Sequence, residues 1–201
     1  MNQPVRIEHD LIGDRQVPAD AYYGVHTLRA RENFPITGTA ISIYPDLVQA
    51  LACVKQAAAM ANRDLGVLKS ETADAIIKAC DRVAEGEGHD QFIVDMLQGG
   101  AGTSTNMNAN EVIANVALKL MGRPRGDYAT INPNDHVNLS QSTNDVYPTA
   151  VRLTILRNCP ELIASQQALK EALLTQRITT RKPAAYLTGE AWLQNVPFFV
   201  D

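Results

Sequence analysis

The 201-residue chain is 45% hydrophobic and 20% charged, an ordinary globular composition long enough for one domain or one and a half. Its formal net charge of -4 argues against a broad nucleic-acid-binding surface. Cys53, Cys80 and Cys159 are odd in number and widely spaced, with neither CxxC nor zinc spacing, which predicts reduced thiols, no metal site and a cytosolic setting.

Met1 to Asp10 carries Arg6, Glu8 and Asp10 and has no apolar core, so no signal peptide is expected. No apolar run nears the ~18 residues of a membrane span. The expectation is a soluble cytoplasmic protein. Residues 1–38 show weak periodicity, punctuated by Gly13, Pro18, Gly24, Pro35 and Gly38, and read as an irregular arm with a short strand pair. His26 has no visible acid or metal partner there and reads as structural.

From Pro45 the pattern turns helical. Leu47, Val48, Leu51, Val54, Ala58 and Ala61 define one apolar face, with Pro45 in the first turn. After a break at Gly66, Ser70 is predicted to cap a second helix with Ala73, Ile76, Ile77, Cys80 and Val83 on its face, closed by Gly86 and Gly88. The acidic residues of Asp90 to Leu97 read as solvated.

Gln98 to Asn110 reads Q-G-G-A-G-T-S-T-N-M-N-A-N. A glycine-rich turn runs into Thr103, Ser104, Thr105 and Asn106, and a helix is expected from about Met107 to Gly122. Glycine allows close backbone approach, hydroxyl and amide side chains suit the N-cap, and the helix start favours an anion. An ordinary capped helix explains the same residues. Asn132 to Asn138, N-P-N-D-H-V-N, predicts a tight ordered turn. S-Q-S-T-N-D at Ser140 to Asp145 is a second polar cluster emptying into a helix, with Asp145 as the predicted N-cap and Pro148 in the first turn. That helix is expected to reach about Leu174, kinked or interrupted at Pro160. Two such starts in one chain suit the two ends of a small polyanion. Four amphipathic helices and little β pattern make the fold class mainly α.

The motifs D-L-I-G-D-R-Q-V-P-A-D-A-Y-Y-G-V-H-T-L-R-A, Q-G-G-A-G-T-S-T-N-M-N-A-N-E-V-I-A-N, N-P-N-D-H-V-N and S-Q-S-T-N-D-V-Y-P-T-A, in this order, resemble the aspartase/fumarase superfamily from about Arg6 to Leu174. Within it, Tyr23 to Thr27, Gly102 to Asn106 and Asn132 before Pro133 resemble the aspartate ammonia-lyases more than the fumarases. The resemblance implies an N-terminal domain over 1–144, the first long helix of a central bundle over 145–174, and a non-family tail over 175–201. It implies reversible conversion of L-aspartate to fumarate and ammonia without an organic cofactor, in a homo-oligomer. Thr103, Ser142 and Thr143 would hold the β-carboxylate, Asn144 would lie near the amino group, and Ser104, Thr105 and Asn106 would support the loop. Asn132 to Asp135 match an anion-binding turn of the fumarase relatives, with asparagine in place of histidine.

The family's serine-bearing base loop, G-S-S-x-M-P-x-K-x-N, and its G-R-T-H-like segment do not occur in these 201 residues. A chain without them is expected to be catalytically inert alone, with an exposed apolar stripe on its last helix. Arg177 to Asp201 switches to alternating Val196, Phe198 and Val200 and carries Trp192. Its P-A-A-Y-L-T-G-E-A-W segment resembles part of the ribosomal-protein glutamine N5-methyltransferases, without their glycine-rich loop or N-P-P-Y motif. The expectation is a truncated or chimeric lyase frame. A fumarate hydratase and a non-catalytic remnant or interaction protein are the alternatives.

Overall fold

The computed structural model describes residues 4–98 and 100–179. The fold is mainly helical. A hairpin of β1 (Val5–Asp10) and β2 (Gly13–Pro18) is followed by α1 (Val25–Asn33), α2 (Pro45–Asp64), α3 (Ser70–Ala84), α4 (Thr103–Leu120) and α5 (Thr143–Thr179). The strands are antiparallel, with Ile7 opposite Gln16. The chain divides into two units, Met1–Arg157 and Asn158–Asp201.

In the first unit α2, α3 and α4 build one core. Val48, Leu51 and Ala59 of α2 join Ala73, Ile76, Ala79 and Val83 of α3 and Val112, Ile113, Val116 and Ala117 of α4, all nearly inaccessible to solvent. Burying one such leucine or isoleucine stabilises the fold by about 1.5–3 kcal/mol. α4 is the central element, because nearly every residue from Ser104 to Leu118 is buried, the polar ones included. Each polar side chain therefore needs a partner. Asn108 donates to the Gln91 carbonyl at 3.0 Å, and Asn115 donates to the Tyr22 carbonyl at 2.8 Å and accepts from the Gly126 N–H at 2.8 Å.

Glu111 carries the heaviest duty on α4. Its carboxylate accepts from the N–H groups of Gly24 at 2.8 Å, His26 at 2.8 Å and Thr27 at 3.1 Å, and from the Thr27 hydroxyl at 2.6 Å. Glu8 takes the Val25 N–H at 2.8 Å. Two carboxylates thus satisfy the free donors at the start of α1 and complement its dipole. Burial pushes the Glu111 carboxyl up, against the donors that favour its charged form. A Cβ on Gly24 would lie 2.6 Å from Glu8 Oε2 and 2.8 Å from Glu111 Oε1, so the close approach requires glycine.

The structure departs from the sequence expectations at several places. α1 forms where an irregular arm is predicted, because its cap arrives from α4 rather than from its own sequence. Ser70 is the first residue of α3 rather than its cap, and the preceding Lys69 makes no side-chain cap bond. Asp95 is buried rather than solvated, accepting from the N–H groups of Thr37, Gly38 and Leu97 and from the Thr37 hydroxyl. Burial raises its pKa, but these donors overcome that and bring it to about 2. Helix α5 is not interrupted at Pro160.

The second unit is described from Asn158 to Thr179, all of it helical, so the helix passes the Leu174 end that periodicity predicts. Leu162, Ile163, Leu169, Leu173 and Leu174 are exposed there. The readings made on Trp192, Val196, Phe198 and Val200 lie outside the described residues. Among the described residues, no helix is long and apolar enough to cross a membrane.

Candidate functional site

Both polar clusters open helices, but neither does so as the sequence predicts. α4 begins at Thr103, not Met107, and its N-cap is Gly102 in the left-handed region at φ 83°. No N-cap side chain is available there, and Gln98 substitutes. Its Oε1 accepts the Thr105 N–H at 2.8 Å, and its amide donates to the Thr105 hydroxyl. The first helical bond runs from the Asn106 N–H to the Gly102 carbonyl at 2.9 Å. α5 begins at Thr143, so Ser142 is the capping residue, accepting the Asn144 N–H on its Oγ at 3.2 Å. Asp145 lies inside the first turn, where its charge suits the dipole, rather than at the cap.

The two starts are neighbours. The Tyr147 ring of α5 lies on Gly102, where an added Cβ would meet ring carbons at 2.1–2.6 Å. Beneath them runs an amide network. Asn138 Oδ1, on the loop before α5, accepts from Asn106 at 3.0 Å and from Asn110 at 3.2 Å, both on α4. It also accepts from Lys55 Nζ at 2.9 Å, and Lys55 donates to Asn106 Oδ1 at 2.6 Å. Lys55 is fully buried, and burial brings its pKa down to about 7.

Exposure separates the candidate residues into two groups. Thr103, Ser142 and Asn144 are exposed and Thr143 is half-buried, so their hydroxyl and amide groups are open to a ligand. Ser104, Thr105 and Asn106 are buried, the last two held by Gln98, Lys55 and Asn138. Among the described residues no hydrogen bond joins Thr103 to Ser142, Thr143 or Asn144. Tyr147 and the amide network are what bring the clusters together. A cleft of about 390 Å³ opens beside Thr103 and Ser104, walled by His26, Arg29 and Met107. Arg29 is committed within it, gripping Asp10 at 2.7 and 2.9 Å and the Gly13 carbonyl at 2.9 Å.

The Asn132 turn forms as predicted: Asn132 Oδ1 accepts the N–H groups of Asn134 at 2.8 Å and Asp135 at 3.0 Å over a single π-helical turn, Pro133–Val137. Among the described residues no group of three His, Cys, Asp or Glu side chains is placed to hold a metal ion. Sequence reading missed Lys55. The signal was present, because Val48, Leu51, Lys55, Ala59 and Asn62 share one buried face at spacings of three and four. A lysine on such a face is unusual.

Solved structures share this architecture. The chain superposes on the fumarate lyase:delta crystallin of Brucella melitensis with a TM-score of 0.75 and 59% identity, over 76% of this chain and 34% of that one. It superposes on the class II fumarase of Schistosoma mansoni with a TM-score of 0.70 and 39% identity, over 76% of this chain and 32% of that one. A lyase family model matches residues 13–195. The chain belongs to this lyase family, within the aspartate ammonia-lyase/fumarase superfamily. The match takes in residues 175–195 of the expected non-family tail, 175–201. Aspartate ammonia-lyases of Pseudomonas aeruginosa and Escherichia coli are 57% and 54% identical to it over 173 and 172 residues. Those alignments cover 86% and 85% of this chain and 36% of each relative. The chain thus spans about a third of the length of the curated relatives it matches.

Proposed function

We propose that this chain is the carboxylate-binding part of an aspartate ammonia-lyase, which eliminates ammonia from L-aspartate to give fumarate. The observation that carries the reading is the meeting of two hydroxyl- and amide-bearing helix starts, through Tyr147 and Gly102, in a chain 53–57% identical to aspartate ammonia-lyases. Removing the proton beside the β-carboxylate spreads negative charge onto that carboxylate. Donors already aimed where charge develops lower the barrier without reorganising. Thr103, Ser142 and Thr143 are assigned to the β-carboxylate and Asn144 to the amino group. Ser104, Thr105 and Asn106 support the loop. The base-bearing loop motif of the family is not among these 201 residues, so this chain alone is assigned binding without turnover.

The homo-oligomeric assembly, the cytoplasmic setting and a separate, methyltransferase-like origin for 177–201 belong to the same proposal. Source DNA that continues the lyase frame past Leu174 would dispose of the separate origin. A hydratase is the second reading, favoured by the 39% identity to a class II fumarase.

The test is direct. The purified chain, given L-aspartate, is expected to form no fumarate by ultraviolet absorbance, yet to bind fumarate in calorimetry. Thr143→Ala is expected to weaken that binding about tenfold or more, the loss of a charged hydrogen bond. Sustained turnover would overturn the assignment of binding alone. Preference for malate over aspartate as a ligand would favour the hydratase.

A further inference from the structure

Lys55 is not used by the carboxylate reading. Lys55 is at 0% exposure, and among the described residues its ammonium bonds only the amide oxygens of Asn106 and Asn138. Among the described residues no carboxylate lies within ion-pair distance of it. The titratable group facing it is the Cys80 thiol of α3, which burial pushes up and keeps neutral. From α4 and the loop before α5 the facing groups are amides. A buried cation without a counter-charge is costly, and its charged form is disfavoured.

The lysine occupies a particular place. Asn106 is three residues after Thr103 on α4, hence on the same side of the helix. Asn138 is four residues before Ser142. Lys55 therefore lies one amide behind each proposed carboxylate-binding helix start. Lys55 Nζ itself sits where water is excluded and charges interact strongly, and its charge is opposite in sign to that of a dicarboxylate held at the solvent-facing helix starts.

We infer that Lys55 is the buried counter-charge of this site, and that a dianion seated at the starts of α4 and α5 draws a proton from solvent onto Lys55 Nζ. The inference rests on the dicarboxylate reading. The step balances simply: the amine lone pair takes one proton from the buffer, no other bond changes, and fumarate enters as its dianion. Lys55 acts through Asn106 and Asn138 and is a positioning residue.

The test is fumarate binding to the 201-residue chain at pH 8, by calorimetry in two non-coordinating buffers of different ionisation enthalpy. The wild-type chain is expected to take up about one proton per fumarate bound, as a lysine titrating near 7 is raised well above 8. Lys55→Met is expected to bind fumarate about tenfold more weakly, with no uptake. A lysine ¹³Cε titration of the unmutated chain gives the same reading without a variant. One lysine with a midpoint near 7 is expected to move upward by about two units when fumarate is added. Fumarate binding with no uptake, and no lysine midpoint moving, would overturn the role of Lys55 and leave the dicarboxylate reading intact. No fumarate binding to the wild-type chain would overturn the dicarboxylate reading, and this inference with it.

Discussion

α4 and the later part of α5 invert the usual rule. α4 buries Asn106, Asn108, Asn110, Glu111 and Asn115, while α5 exposes Leu162, Leu169 and Leu173. Both are long helices of mixed composition. The difference lies in what surrounds them. On α4 nearly every buried polar side chain meets a backbone or amide partner, so burial costs little and fixes one arrangement. On α5 the leucines add nothing to a core among the described residues. Polarity alone does not tell which helix is central.

The largest test of this contrast is Glu111→Leu. It deprives the start of α1 of its acceptor and leaves the N–H groups of Gly24, His26 and Thr27 unpaired. A loss of at least about 3 kcal/mol in urea unfolding is expected. A loss under about 1 kcal/mol would mean that α4 does not need its polar residues satisfied. Gly102→Ala comes next. It places a side chain at φ 83° and against the Tyr147 ring, for an expected loss of about 1–3 kcal/mol. Adding Tyr147→Ala should relieve the clash and leave the backbone strain, and full recovery would show that strain is absent.

A smaller effect appears only in acid. The Asp95 pKa lies below its unfolded value of 3.8, at about 2. The unfolded chain therefore binds the proton first, and the stability Asp95 contributes is present above pH 3.8 and lost as pH falls through 2. Asp95→Asn should flatten that acid limb in an unfolding series, and an unchanged limb would refute the assignment. The smallest effect is expected on α5. Leu169→Gln with Leu173→Gln should change stability by no more than about 0.5 kcal/mol while reducing self-association in light scattering. A loss above about 2 kcal/mol would show that these leucines are packed.

Where the sequence was legible, periodicity carried the reading. α2 and α3 show apolar residues at spacings of three and four and both helices form; on α3 the predicted face is the buried one, whereas on α2 the buried face runs through Val48, Leu51, Lys55, Ala59 and Asn62 and leaves Ala61 exposed. The starts of α1 and α4 escape sequence reading because their caps are not local. Gln98 caps α4 across the glycine turn, and Glu111 caps α1 from the middle of another helix. Asp95 reads as solvated because all its donors but the Leu97 N–H lie 57 and 58 residues earlier in the chain. In the candidate site, Thr103 and Ser142 to Asn144 were legible as polar residues opening helices. Their adjacency is implied by the family resemblance, which puts Thr103, Ser142 and Thr143 on one carboxylate, but the contact that makes it, Tyr147 against Gly102, leaves no trace in spacing. Lys55 was legible in principle, as a charged residue among apolar positions of one face.

The Glu111 cap also orders events in time. Gly24 precedes the carboxylate that starts its helix by 87 residues. During synthesis α1 is made early and must wait for α4, since a nine-residue helix does not hold alone in water. The N-terminal arm is then a late-folding part of the first unit despite being the first made. Its amides should exchange with solvent no more slowly than those of α4, because any opening that withdraws Glu111 releases both.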